Sequence, residues 1–315
     1  MSISLVVSVL NEESSIALLI DSILNQVKTP DEMIIVDGGS TDNTCNIVRS
    51  YIKENKIVKL YEYKTTRSEA RNVGINLSKG SIIVTTDSGC VAEKYWIKNI
   101  SKPFKDKKVD MVAGFYKMVG SKSPINKALS VFIGITPEKF DDRFLASARS
   151  LAFRKSLWKK IGGFPEGLKD TAEDTVFNFN AIKSGVKIIR VKNAIVYWKL
   201  PETLSEGIKK IYLYAKGDAK SGIWWHPLKK FKTHNIKVLL IILRYLIALY
   251  LIKLSFIYKT LQLPVVLGII LYTFWAFRKV YLHTKDIKAG FAGIIVQIFS
   301  DIAVMAGFVM GILNI

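Results

Sequence analysis

The sequence predicts an α/β protein: a central, mostly parallel sheet built from residues 1–200, followed by hydrophobic helices. Three observations carry this prediction. Short runs of Val, Ile and Leu alternate with segments whose apolar residues recur at helical spacing. Within those runs there is little polar alternation, as strands buried on both faces require. After residue 237 the chain becomes its most apolar, with three long segments in succession.

Strands are expected at residues 3–10, 33–37, 57–63, 81–86 and 109–115, and helices between them at 15–27, 42–54, 67–78 and 93–104. Strand–helix–strand order of this kind builds a parallel sheet covered on both faces. Ligands of such sheets bind at the carboxyl ends of the strands. Residues 146–199 read as a mixed portion, with short strands at 149–153 and 187–198 around a helix at 173–183. Residues 203–222 read as an amphipathic helix with Ile208, Ile211, Tyr212 and Ala215 on one face. A boundary is expected at 225/226, with a sheet domain over 1–225 and a membrane-associated helical region over 226–315.

The apolar segments are 238–252, 263–277 and 291–313. A full membrane span takes about 20 apolar residues. The third segment is long enough, although Gln297 and Asp301 lie within it. The first two are short, and Arg244 interrupts the first. Two readings stay open for them: spans with snorkelling ends, or a hairpin lying in the interface. Basic residues cluster at 229–237 and at Arg278, Lys279, Lys285 and Lys288. The positive-inside tendency puts both loops on the cytoplasmic face and the C-terminus outside, against which Lys253 and Lys259 weigh. Trp224 and Trp225 read either as an interfacial anchor or as core.

Of the 315 residues, 50% are hydrophobic and the net charge is +20. Mean hydropathy is +0.23, high for a purely soluble protein and low for a polytopic transporter. The charge admits nucleic acid, a solvated Lys-rich surface, or anionic lipid headgroups, each basic residue contributing roughly 1 kcal/mol near the membrane. The last is favoured, because Lys229, Lys230, Lys232 and Lys237 directly precede the first long apolar run. A nucleic-acid partner is not expected, since it leaves the apolar C-terminus unexplained. Cys45 and Cys90 form no CxxC motif, so a reducing compartment is expected. His226, His234 and His283 lack zinc-ligand spacing. The run at 3–10 is too short for a signal peptide and no basic region precedes it.

Chemistry is sought just after each strand. Asn11-Glu12-Glu13 follows the first, where a Gly-rich phosphate loop is absent. Carboxylates there suit hydrogen bonding to a base or ribose, and Asn11 can alternatively cap the next helix. The second strand ends in Asp37-Gly38-Gly39-Ser40-Thr41-Asp42. The glycines permit a tight turn, Ser40 or Thr41 can cap the next helix, and Asp42 suits its positive end. Asp37 is left to accept from a base N–H. Thr86-Asp87-Ser88-Gly89 ends the fourth strand. Asp87 can reach a ribose hydroxyl or a divalent cation on a diphosphate, or simply form the turn. Glu173-Asp174 follows Gly162-Gly163-Phe164-Pro165, a loop that can approach an acceptor. Asp174 suits a general base. Thr171 and Asp174 also have capping-box spacing.

Asn11-Glu12, the 37–42 segment, Ala70-Arg71-Asn72-Val73-Gly74, Thr86-Asp87-Ser88-Gly89-Cys90, Leu151-Ala152-Phe153-Arg154, Gly162-Gly163-Phe164 and Glu173-Asp174 together resemble the family 2 glycosyltransferases, over roughly residues 3–222. The resemblance implies a GT-A (Rossmann-like) fold, a nucleotide-diphosphate sugar donor and inversion at the anomeric carbon. It implies that Asp37 contacts the base, that Asp87 opens the family's Asp-x-Asp metal and nucleotide motif, and that Asp174 is the catalytic base. Asn11, Glu12, Arg71, Ser88 and Lys216 join the nucleotide-sugar side, Lys216 because Tyr214–Asp218 lies where relatives place a diphosphate-contacting motif. Glu173 and Gly163 fall on the acceptor side. The third motif position is Gly89, so a Mg2+ or Mn2+ ion held by Asp87 lacks its usual second ligand. Another group supplies it, or Lys or Arg neutralises the diphosphate instead. The expected acceptor is a polyprenyl phosphate or a lipid-linked glycan at the membrane. The rival to an enzyme is a membrane-tethered nucleotide-sugar-binding protein without catalysis.

Overall fold

The computed structural model describes residues 1–120, 122–134, 140–168 and 171–313. The chain forms two compact units, Met1–Val119 with Pro137–Lys199, and Gly120–Thr136 with Leu200–Ile315.

The first unit holds an eight-stranded sheet. Its strands are β1 (Ile3–Val9), β2 (Glu32–Asp37), β3 (Val58–Glu62), β4 (Ile82–Thr85), β5 (Cys90–Ala92), β6 (Met111–Val119), β7 (Leu151–Arg154) and β8 (Ile188–Lys199), in the order β3-β2-β1-β4-β7-β6-β8-β5. The half from β3 to β4 is parallel throughout. β7 then enters antiparallel to β4 and β6, β8 runs parallel to β6, and β5 closes the edge antiparallel to β8. Hence the parallel run ends at β4, and the far half is mixed. β5 escapes sequence reading because three residues carry no periodicity.

The helices of this unit are α1 (Ile16–Leu24), α2 (Thr44–Glu54), α3 (Arg67–Leu77), α4 (Trp96–Ser101), α6 (Lys155–Ile161) and α7 (Glu173–Lys183); α5 belongs to the second unit. Every residue of β2, and all but Ser8 of β1, is buried, which is why these runs are apolar at successive positions. α3 lies close on β1 because position 74 is glycine: a Cβ there would stand 2.6 Å from a Val6 methyl. Register levels the strand ends, with Val9 beside Asp37 and Asp37 beside Glu62. The loops after β1, β2 and β4 therefore emerge along one edge.

The second unit is helical: α5 (Pro124–Ile133), α8 (Leu204–Lys220), α9 (His234–Ile257), α10 (Gln262–Thr284) and α11 (Ile287–Ile312). α5 went unread, although Ser123 caps it and Pro124 opens it. α8 is the expected amphipathic helix, with Ile211 and Ala215 buried. It packs backbone-close on α11, where a Cβ at Gly307 or Gly311 would stand 2.3 or 2.5 Å from the carbonyl oxygens of Tyr212 and Lys216. This packing puts α8 with the hydrophobic helices, so the compact division falls after Lys199 rather than after residue 225.

Among the described residues, three helices are long and apolar enough to cross a membrane, those ending at Ile257, Thr284 and Ile312, with mean hydropathy 2.2, 1.7 and 1.9. α9 and α10 are both longer than the apolar segments expected at 238–252 and 263–277, so shortness no longer argues for an interfacial hairpin. The polar residues inside them meet. Asp301 Oδ2 accepts from Arg244 Nη2 at 2.5 Å, Tyr272 at 2.8 Å and Tyr245 at 3.1 Å. Its Oδ1 accepts from Gln297 at 2.9 Å, and Lys279 donates to Gln297 at 3.0 Å.

Candidate active site

The loops after β1 and β2 are laced together. Asn11, at φ 54°, donates its N–H to Ser40 Oγ at 2.8 Å and accepts from the Thr41 N–H at 2.9 Å. Glu12 N–H donates to Thr44 Oγ1 at 2.8 Å. Glu13 accepts from the Asn43 N–H at 2.9 Å. The capping expectations fail here: α1 starts after Ser15 and α2 after Asn43, neither with a side-chain cap, and Asn11, Ser40 and Thr41 serve the loop instead. Asp42 does lie at the start of α2, accepting from the Thr44 N–H at 3.1 Å.

Asp37 is 2% exposed. Its carboxylate accepts from the Gly39 and Ser40 N–H groups at 2.9 Å each and from the Ser40 hydroxyl at 2.5 Å. The Cys45 thiol donates to it as well. A carboxylate has about four acceptor positions, so Asp37 is committed to shaping this loop. Burial, then the Asp37 and Glu62 carboxylates, push the Cys45 thiol up to about 11. Burial and Asp87 push Cys90 up to about 12. Both thiols stay protonated near neutral pH and are unfit as nucleophiles.

The centre of the site is a guanidinium. Arg71 stands on α3, whose start is fixed by a capping box between Thr66 and Glu69. It is 1% exposed, donating to Asp87 Oδ1 at 2.7 Å and Glu173 Oε1 at 2.6 Å, with its guanidinium 5.5 Å from the Phe164 ring centroid. Arg71 therefore does not offer itself to a nucleotide. It ties the loop after β4 to the start of α7. Glu173 is likewise committed inward, with Arg67 also 3.7 Å away. Sequence reading missed a second cation, Arg149. Its Nε lies 3.5 Å from Asp87 Oδ2, and its guanidinium lies 4.3 Å from the Trp198 ring centroid and 5.1 Å from that of Tyr116. Nothing in the sequence marked it, because it stands one turn before β7 rather than at the carboxyl end of a strand.

Asp174 opens α7 beside Glu173. No capping box forms: the N-cap is Ala172, at φ 71°, with no side-chain cap, so Thr171 does not play that part. The Asp174 carboxylate accepts from the Ala148 N–H at 3.3 Å. Asn178, one turn later, donates to the Ala146 carbonyl at 2.7 Å and the Asp174 carbonyl at 2.6 Å, pinning the 146–148 segment to the helix. Burial pushes Asp174 up to about 6, and the neighbouring Glu173 charge adds to this, against a smaller pull from Arg149 and Arg71. Burial raises Glu173 too, but Arg71 and Arg67 outweigh it and hold Glu173 below the usual carboxylate range. Two adjacent carboxyls are thus driven apart in acidity, one locked as an anion and one poised to take a proton.

Ser88 is buried beside Asp87. Gly89 faces open space: a Cβ built there would meet only Glu12 Oε2, at 4.0 Å. The loops after β1 and β4 therefore adjoin, and acids 12, 37, 87, 173 and 174 lie along one continuous edge. Gly163, at φ 79°, follows α6. A Cβ there would stand 2.9 Å from Asn72 Oδ1, which accepts from the Phe164 N–H at 2.9 Å and Trp158 Nε1 at 3.0 Å. Glycine is required by that turn, whatever it offers an acceptor. Lys216 lies on α8 in the second unit.

A divalent cation finds few donors. Gly89 has none, both Asp87 oxygens face guanidinium groups, and among the described residues no group of three His, Cys, Asp or Glu side chains is placed to hold a metal. These residues do not fit a protein-built divalent-cation site.

The family model for Glycosyl transferase family 2 matches residues 4–162. Glycosyltransferase GlyG of Streptococcus pneumoniae is 31% identical over 116 residues, covering 36% of this chain and 38% of GlyG. A poly(ribitol-phosphate) beta-glucosyltransferase of Bacillus spizizenii is 33% identical over 202 residues, covering 60% of this chain and 30% of that protein. The chain thus spans less than two thirds of the length of these relatives. Among solved structures, the mannosyltransferase PcManGT of Pyrobaculum calidifontis, in complex with GDP-Man and Mn2+, matches with a TM-score of 0.66 at 19% identity, covering 94% of this chain and 86% of that one. That likeness is one of fold.

Proposed function

The chain belongs to glycosyl transferase family 2, and from that premise we propose that it transfers a sugar, with inversion, from a nucleotide diphosphate to an acceptor hydroxyl at a membrane surface. It is a GT-A-fold glycosyltransferase. The nucleotide lies on the loops after β1 and β2, where Asn11, Glu12 and Asp37 receive base and ribose, Asp37 exchanging one of its loop or thiol donors for the base N–H. Asp87 and Ser88 lie toward the ribose and diphosphate. Asp174 is the base. As the acceptor oxygen bonds to the anomeric carbon, its proton passes to the Asp174 carboxylate. The bond from that carbon to the diphosphate oxygen breaks, and its electron pair leaves with the nucleoside diphosphate.

The observation that carries this reading is the split between Glu173 and Asp174. A base near pH 6 is ionised at neutral pH yet basic enough to assist. It also favours one acceptor class. A phosphate monoester is already largely ionised at neutral pH and needs no base, whereas a glycan or polyol hydroxyl does. A lipid-linked glycan is therefore preferred over a polyprenyl phosphate. The Bacillus spizizenii relative, named for poly(ribitol-phosphate), points to the same hydroxyl chemistry. Three apolar helices and the basic stretch at 229–237 support membrane association with the catalytic unit on the cytoplasmic side. We assign catalysis to residues 1–225 and membrane association to 226–315.

The test is Asp174→Asn. Losing a general base costs about 10²–10⁴-fold in kcat, while nucleotide affinity stays within about twofold because Asp174 lies off the nucleotide loops. Turnover near the wild-type rate would refute the role.

A further inference from the structure

We propose that Arg149, rather than a divalent cation, supplies the positive charge that meets the donor's diphosphate. This deepens the transferase reading and rests on it. Neutralising a leaving diphosphate takes fixed positive charge where negative charge develops. The usual metal lacks a second protein carboxylate here, and the first, Asp87, lies against two guanidinium groups. Of those two, Arg71 has both terminal nitrogens committed at 2.6 and 2.7 Å and is sealed in the core. The Arg149 side chain is 14% exposed, and its Asp87 contact is the longer, at 3.5 Å.

The Arg149 side chain is also preorganised. Trp198 and Tyr116 hold the plane of its guanidinium, at 4.3 and 5.1 Å from their centroids. A planar guanidinium held by aromatic rings suits phosphate oxygens, its Nη1 now donating to Ser147 Oγ at a long 3.3 Å. Asp87, on the ribose and diphosphate side, is its ion-pair partner. Asp174 feels its charge, so acceptor base and leaving-group cation belong to one electrostatic cluster. In the transfer step the departing electron pair sits on the diphosphate beside Arg149, and the acceptor's proton rests on Asp174. No further reactant is needed.

The experiment measures nucleoside diphosphate release by the detergent-solubilised full chain, across UDP- and GDP-sugars, with EDTA and with added Mn2+. The wild type is expected to keep its rate within about twofold in EDTA. Arg149→Gln is expected to lose about 10²–10³-fold in kcat, the effect of removing one charge-stabilising group. Adding Gly89→Asp to that variant restores a second carboxylate in open space near Glu12, and at least tenfold recovery is expected only when Mn2+ is present. A wild-type rate abolished by EDTA and restored by Mn2+ overturns the proposal, as does Arg149→Gln turning over within about threefold of wild type. If Arg149→Gln melts early, Arg149→Lys and the EDTA arm decide, with Lys expected to keep metal-free turnover at a reduced rate. Absence of product from every donor, with and without Mn2+, strikes the transferase reading instead.

Discussion

Asp174 binds its proton more tightly when folded, with a value near 6 against 3.8 for a free carboxyl. Its contribution to stability is therefore fullest below about pH 4 and is lost as pH rises through 6. Activity runs the other way, because only the ionised base accepts a proton. Transfer should rise with pH along a limb centred near 6, while thermal stability contributed by this group falls over the same window. Arg149→Gln removes a charge that favours the anion, so its limb should shift to higher pH. An unshifted limb in that variant would separate the two side chains. At this scale the sequence was only partly readable. Asp87 and Asp174 were singled out as acids after a strand and at a helix start, and both lie within reach of the Arg71 and Arg149 charges. Arg71 and Glu173 were singled out by the family resemblance, and only packing shows that the two side chains pair with one another. Arg149 left no trace, since its value comes from Trp198 and Tyr116, distant in the chain.

The helical elements raise a different question, how three apolar helices tolerate Arg244, Lys279, Gln297 and Asp301. Charges in a bilayer are costly and persist where they satisfy one another. The Asp301 carboxylate collects donors from α9, α10 and α11 itself, so this network ties the three together. Removing Asp301 takes the ion partner from the part-exposed Arg244 and a shared acceptor from the Tyr245 and Tyr272 hydroxyls. Asp301→Leu should lower the unfolding midpoint in detergent, and adding Arg244→Leu should recover part of the loss. A double variant no better than the single would contradict the pairing. The interruption by Arg244, which in sequence argues against a span, is thus explained by a partner 57 residues away. Sequence reading found these helices by composition but not their ends, because caps such as Thr233 and Asp286 lie outside the apolar cores.

For the whole molecule, the parallel half of the sheet was legible because buried parallel strands are apolar at every position. In the mixed half, β6, β7 and β8 were also legible, near 109–115, 149–153 and 187–198, but their pairing was not, since β7 and β8 pair with strands far away in sequence. The compact division after Lys199 was not legible for a related reason: the chain leaves the first unit after Val119, forms α5, and returns. α5 packs within the second unit, Lys127 pairing with Asp286 at 2.6 Å and Leu129 filling the space a Cβ at Gly207 would need. A chain cut after Lys199 therefore strands the buried face of α5, and we expect it to aggregate. A monodisperse, nucleotide-binding product of that cut would contradict the packing described.

Inverting transfer assisted by Asp174 is the claim on which the account depends. Proton NMR of the first product formed from an α-linked nucleotide sugar reads the anomeric configuration directly. A β-linked product before any equilibration is the predicted result, and an α-linked first product would contradict single-displacement transfer at this site.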